Sequence, residues 1–140
     1  ADYPGLNEDF VDLLAAFRAE QVEFLVVGAH AMAAHGVPRA TGDLDLFVRP
    51  TPENAGVTAA DLTVSGTAYP MGLPPRRIDL LTSISGVTFD EAHTGRITCE
   101  LDGLALDVIG RDALIANERA AARDKDLVDA KLLERRREDL

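Results

Sequence analysis

The sequence predicts an α/β (α+β) fold: one small mixed β-sheet with helices packed on it. Two patterns carry that prediction. In the first third, EFLVVG, a short run of small residues and DLDLFV alternate between strand-like and helix-like patterning, the order expected of a sheet whose strands are separated by helices. Near the end, ITCELDGLALDVIG holds two alternating segments joined by Asp102-Gly103, a two-residue hairpin signal that adds an antiparallel pair. The chain has 140 residues, the length of one ordinary domain, so 1–140 is read as a single unit with one core.

Each element has its own warrant. From Asn7, NEDFVDLLAAFRAEQV offers a capping asparagine, acids in the first turn, and Phe10, Leu13, Leu14 and Phe17 at helical spacing. EFLVVG, ending at Gly28, is a continuous apolar run rich in valine, as a strand covered on both faces should be. Ala29 to His35 reads as a compact helix stopped by Gly36, with Pro38 beyond it. DLDLFV is the second strand, and PTPENA starts a helix with proline in its first turn. Residues Gly56 to Leu73 mix glycine, threonine and proline without a period and are read as loop. RRIDLLTSI, centred on Asp79, is a third buried strand, and VTFDEAHTG carries a short helix. After the hairpin come two helices, RDALIANERAA and DKDLVDAKLLERRRE.

Composition narrows the function. A net charge of −10 argues against broad nucleic-acid binding, which depends on lysine and arginine neutralising phosphates. Local basic patches remain at Arg76 and Arg77, at Arg119, Arg123 and Lys125, and at Arg135 to Arg137. No apolar run approaches the roughly 18 residues of a membrane span, and no signal peptide opens the sequence, so no membrane partner is expected. The single cysteine, Cys99, excludes an internal disulfide and fits a cytoplasmic location; it reads as a small apolar strand residue.

Two aspartates stand inside the apolar DLDLFV. Side chains alternate along a strand, so Asp43, Asp45 and Phe47 face one way while Leu44, Leu46 and Val48 face the other. Carboxylates held roughly 7 Å apart on one face raise each other's proton affinity unless a cation sits between them. Hard divalent ions take such oxygen ligands, commonly with substrate phosphates. Asp79 adds a third carboxylate in an equally apolar run, enough for a one- or two-metal phosphoryl-transfer centre. Alone, an Asp-X-Asp pair equally ends a strand, binds an arginine or begins a turn. Its context is the Gly28 turn, where a strand running into a glycine and then a helix presents free amides to a phosphate. His30 and His35, five residues apart, do not share a helix face as metal ligands four apart would; packing or capping suits both.

A strand, a glycine, a helix and then a strand carrying Asp-X-Asp 15 residues after that glycine resembles the signature of the nucleotidyltransferase superfamily, the DNA polymerase β-like fold. The stretches VVGAHAMAAHGVPRATGDLDLFV, PPRRIDLLTSISGVTFDEA and LIANERAAARDKDLVDA are similar to small bacterial AbiEii-toxin-like nucleotidyltransferase proteins. The resemblance implies a minimal nucleotidyltransferase fold that moves a nucleotide from an NTP to a hydroxyl acceptor: an RNA end such as tRNA, a protein or a small molecule. It assigns Gly28 and the Ala29 amide to phosphate, and Asp43, Asp45 and Asp79 to catalysis and to two Mg²⁺ ions, with Mn²⁺ as the substitute. It further implies a cognate antitoxin or toxin partner. Lys125, with Arg123, opens the final helix within reach of a triphosphate, or forms a solvated ion-pair face. Arg39 grips a phosphate or neutralises Asp43. Ala29 follows Gly28 where the resembled proteins have Gly or Ser, and Glu118 stands where they tend to carry lysine. Those two positions favour an alternative, a catalytically inactive protein of the same fold acting as a binding or regulatory partner.

Overall fold

The computed structural model describes residues 8–37, 43–51, 68–71, 78–101 and 103–138. In chain order these form α1 (Glu8–Ala19), β1 (Phe24–Val27), α2 (Gly28–Ala34), β2 (Leu44–Val48), β3 (Ala68–Met71), β4 (Ile78–Leu81), α3 (Phe89–Thr94), β5 (Ile97–Leu101), β6 (Leu104–Val108), α4 (Arg111–Ala121) and α5 (Asp124–Glu138). The helices expected from RDALIANERAA and DKDLVDAKLLERRRE are α4 and α5, and the short helix expected in VTFDEAHTG is α3. Asn7, Arg39, Arg76, Arg77 and the helix expected from PTPENA lie outside the described residues.

The strands make one mixed sheet in the order β3-β4-β2-β1-β6-β5. β1 runs antiparallel to β2 and parallel to β6, while β2 and β4 are parallel. All four residues of β1 are buried, the behaviour of an interior strand covered on both faces. On α1, Leu13, Leu14 and Phe17 turn inward, and the Phe17 ring meets Phe24 edge-on at 5.6 Å, a favoured aromatic geometry. Ala31 and Met32 of α2, Leu114 and Ile115 of α4, and Ala130 and Leu133 of α5 join the same core.

Local chemistry sets the boundaries. Gly36 follows α2 with φ +88°, the left-handed conformation that ends helices. At α3, Thr88 Oγ1 accepts from the Glu91 N–H at 3.2 Å while the Thr88 N–H donates to Glu91 Oε1 at 2.9 Å, a complete capping box. The hairpin turns as expected: Leu101 pairs with Leu104 and Gly103 has φ +81°. One expectation is corrected. Within Gly56–Leu73, read as loop, Ala68–Met71 forms β3, an antiparallel edge strand on β4. Its sequence, AYPM, contains Pro70, which breaks a strand pattern in sequence but is tolerated where one side of the ladder needs no donor. No described helix is long and apolar enough to cross a membrane.

Candidate functional site

The sheet register aligns the ends of three strands. Val27 stands opposite Asp45, and Asp45 stands opposite Asp79 on the parallel neighbour β4. Residues paired across strands share a face, so Asp45 and Asp79 project from the same side. Asp43 immediately precedes β2, two residues from Asp45. All three aspartates are half-buried. Carboxylate oxygens on one face are donors of the kind Mg²⁺ takes.

Gly28 links this row to α2. Its φ of +68° lies in the left-handed region, and a Cβ placed there would overlap the Asp45 carboxylate. Both facts require glycine, and together they seat the start of α2 directly against Asp45. Beside this contact a cavity of about 360 Å³ opens, whose lining includes Gly28, Ala29, Asp45, Glu118, Lys125 and Asp126. The structure thus gathers Gly28, Ala29, Asp45 and Lys125 around one space. Asp79, paired with Asp45 in the sheet, and Asp43, just before β2, do not line it.

The opposite wall is built by α4, α5 and their joint. Glu118, Asp126 and Asp129 are all buried, and one ligand atom from each lies within 4.8 Å of the others. Among the described residues it is this trio, and not Asp43, Asp45 and Asp79, that closes to that distance. Cationic side chains already engage it. Asp126 Oδ2 accepts from the Arg123 N–H at 3.2 Å and from Nε at 2.7 Å, and Oδ1 accepts from Arg123 Nη2 at 3.2 Å. Lys125 Nζ lies 3.3 Å from the same Oδ1. The Arg123 hydrogen bond holds the Asp126 carboxyl well below the usual carboxylate range against the opposing effect of burial. Glu118 goes the other way: burial first, and then the hydrogen-bonded Asp126, push it up to about 7. When protonated, Glu118 can donate to the ionised Asp126 beside it.

The histidines act structurally, in line with the packing or capping expected of His30 and His35. His30 is buried, with its ring hydrogen-bonded to the Asp43 backbone, and burial lowers its pKa. His35 Nε2 lies 2.7 Å from the Ile109 carbonyl oxygen, and burial lowers its pKa as well. His93 stacks on Phe89 at 5.4 Å. The sequence reading missed Glu118, Asp126 and Asp129 as a set. The available signal was the i, i+3 spacing of Asp126 and Asp129, which places both on one helix face.

No family model matches the sequence, and no curated protein matches it. Solved structures do. The antibiotic-resistance factor ANT(2'')-Ia aligns over 89% of this chain and 80% of its own, with TM-score 0.61 and 15% identity. A Thermotoga maritima protein assigned as a nucleotidyltransferase aligns over 96% of both chains, with TM-score 0.59 and 14% identity. The lincosamide antibiotic adenylyltransferase LnuA, solved with lincomycin, aligns over 93% of this chain and 98% of its own, with TM-score 0.57 and 11% identity. The chain therefore has the fold of small nucleotidyltransferases.

Proposed function

We propose that this protein is a metal-dependent nucleotidyltransferase that moves a nucleotide from an NTP to a hydroxyl. The observation that carries this reading is the contact of the Gly28 turn with Asp45, in a cavity that also holds Lys125. In such a reaction an acceptor hydroxyl oxygen bonds to the α-phosphorus, the bond from that phosphorus to the bridging oxygen breaks, and pyrophosphate leaves. The Gly28 and Ala29 amides hold phosphate oxygens, and Lys125 and Arg123 meet the triphosphate charge. Asp43, Asp45 and Asp79 would hold Mg²⁺ or Mn²⁺, which would supply charge neutralisation at the phosphates and favour the deprotonated hydroxyl. Asp79 takes the acceptor proton or binds the second ion. The protein's share of the work is then positioning and charge compensation.

A small hydroxyl-bearing molecule is the preferred acceptor. The net charge of −10 disfavours a long RNA footprint, and the ANT(2'')-Ia and LnuA likenesses are with proteins described by antibiotic resistance and antibiotic adenylylation. Kinship with AbiEii-toxin-like proteins, and with it a tRNA or protein acceptor, a cytoplasmic location and an antitoxin partner, rests on the sequence stretches quoted above. The inactive binding module remains the second reading because Glu118 adds an acid to the cavity wall.

Calorimetry with Mg²⁺ and each of the four NTPs, on the wild type and on the Asp43→Asn, Asp45→Asn double variant, separates the two. Metal-dependent binding that the double variant loses is the expected result. Absence of binding to both proteins, with the variant at least as stable as the wild type, would leave the inactive module.

A further inference from the structure

We infer that Glu118 controls the cavity's grip on polyphosphate: protonated, it donates to Asp126 and leaves Arg123 and Lys125 on the rim to meet the ligand. The inference rests on the nucleotide reading above and adds a regulated element to it.

The geometry begins with Asp126, whose side chain is 1% exposed while those of Arg123 and Lys125 are 69% and 66% exposed. The two cations are therefore anchored at a buried carboxylate and remain open to a ligand entering the cavity they line. Helix capping explains Asp126 by itself. It is the third residue of α5, and its carboxylate accepts the N–H of Arg123, the residue before the helix, as the acid of a capping box does. Capping does not explain why Glu118, 6% exposed, is buried against that same carboxylate. Buried carboxyl groups whose oxygens lie within 4.8 Å of one another raise each other's proton affinity, so that one of them holds a proton to higher pH. Arg123 and Lys125 keep Asp126 ionised, so Glu118 holds the proton.

The titratable groups lining the cavity with Glu118 are Asp45 from β2, Arg123 from the α4–α5 joint, and Lys125, Asp126 and Asp129 from α5. Burial and Asp126 favour the proton on Glu118, and Lys125 and Arg123 oppose it. Ionising Glu118 would add a negative charge facing the ligand and a second acceptor competing for both cations. Phosphate binding and Glu118 protonation consequently reinforce each other, as any two linked binding events must.

The test is calorimetry of inorganic tripolyphosphate and of Mg·ATP between pH 6 and pH 8, on wild type and Glu118→Gln. For a linked group titrating near 7, the wild-type Kd should rise about tenfold across this range beyond the ligand's own titration. Glutamine imitates the protonated donor, so Glu118→Gln should keep the low-pH affinity and lose the extra slope. Binding at pH 7 should also take up to about half a proton per ligand in wild type, read from buffers of different ionisation enthalpy, and that difference should vanish in the variant. Parallel pH slopes in the two proteins would overturn the role of Glu118 and leave the nucleotide reading intact. Failure of both ligands to bind either protein at any pH would overturn the nucleotide reading and this inference together. Carboxyl ¹³C titration of the wild type gives an independent check: a Glu118 resonance titrating in the ordinary glutamate range would also overturn it.

Discussion

Substituting Gly28 by alanine tests the contact on which the site is built. Two costs follow from the structure. An L-residue at φ +68° occupies the left-handed region at a penalty of about 1–2 kcal/mol. Its Cβ would also overlap the Asp45 carboxylate, forcing that side chain off its rotamer for about 0.5–1.5 kcal/mol more. Gly28→Ala should therefore lose about 1.5–3.5 kcal/mol in urea unfolding. Asp45→Ala in the same background removes the overlap with the carboxylate and leaves the backbone strain and a 3.2 Å contact with the residue-45 Cβ, so the double-mutant cycle should return a coupling of about 0.5–1.5 kcal/mol. Circular dichroism during urea titration, with Asp45→Ala alone as the fourth corner, measures all four terms. A Gly28→Ala loss below about 0.5 kcal/mol, the range of an uninvolved surface position, would refute the reasoning. So would a full loss with no coupling to Asp45.

Two further outcomes follow from side-chain chemistry. Glu118 has its folded-state pKa raised from 4.5 to about 7, so the folded chain holds more protons than the unfolded chain between those values. Its contribution to stability is fully present below the unfolded value and is lost as pH rises through 7. Against Glu118→Gln, the wild type should lose ground in thermal melts between pH 5 and pH 7, and equal slopes would contradict the shift. At α3, Thr88→Ala removes the hydroxyl that accepts the Glu91 N–H. It should cost about 0.5–2 kcal/mol by urea unfolding.

Much of the fold was legible because its interior strands are continuous apolar runs and its hairpin carries Asp-Gly at the turn. Asp45 and Asp79 were legible as a pair for a similar reason: charge inside FLVV-like sequence is conspicuous, and register then sets them side by side. β3 was not legible, since AYPM is four residues with a proline and gains its identity only by pairing with β4. The acids of α5 were hidden by an inversion of the usual pattern. Asp126 and Asp129 are buried while Leu127 and Val128 are 41% and 54% exposed, so hydrophobic periodicity assigns the wrong face. The hydrogen bonds from Arg123 and the Lys125 ion pair, in a residue order no periodicity encodes, show why burial of Asp126 is tolerated.

The order of the sheet also bears on how the site comes into being. β1 ends at Val27, just before Gly28, yet its second neighbour is β6, paired through Val26 and Val108, and the cavity beyond it is lined by Lys125 and Asp126. Long-range closures of this kind delay assembly, because their loop entropy must be met before the contacts repay it. During synthesis, Gly28 and Asp45 leave the ribosome well ahead of Arg123, Lys125 and Asp126, which line the same cavity. The two walls of the cavity therefore meet only when α5 docks.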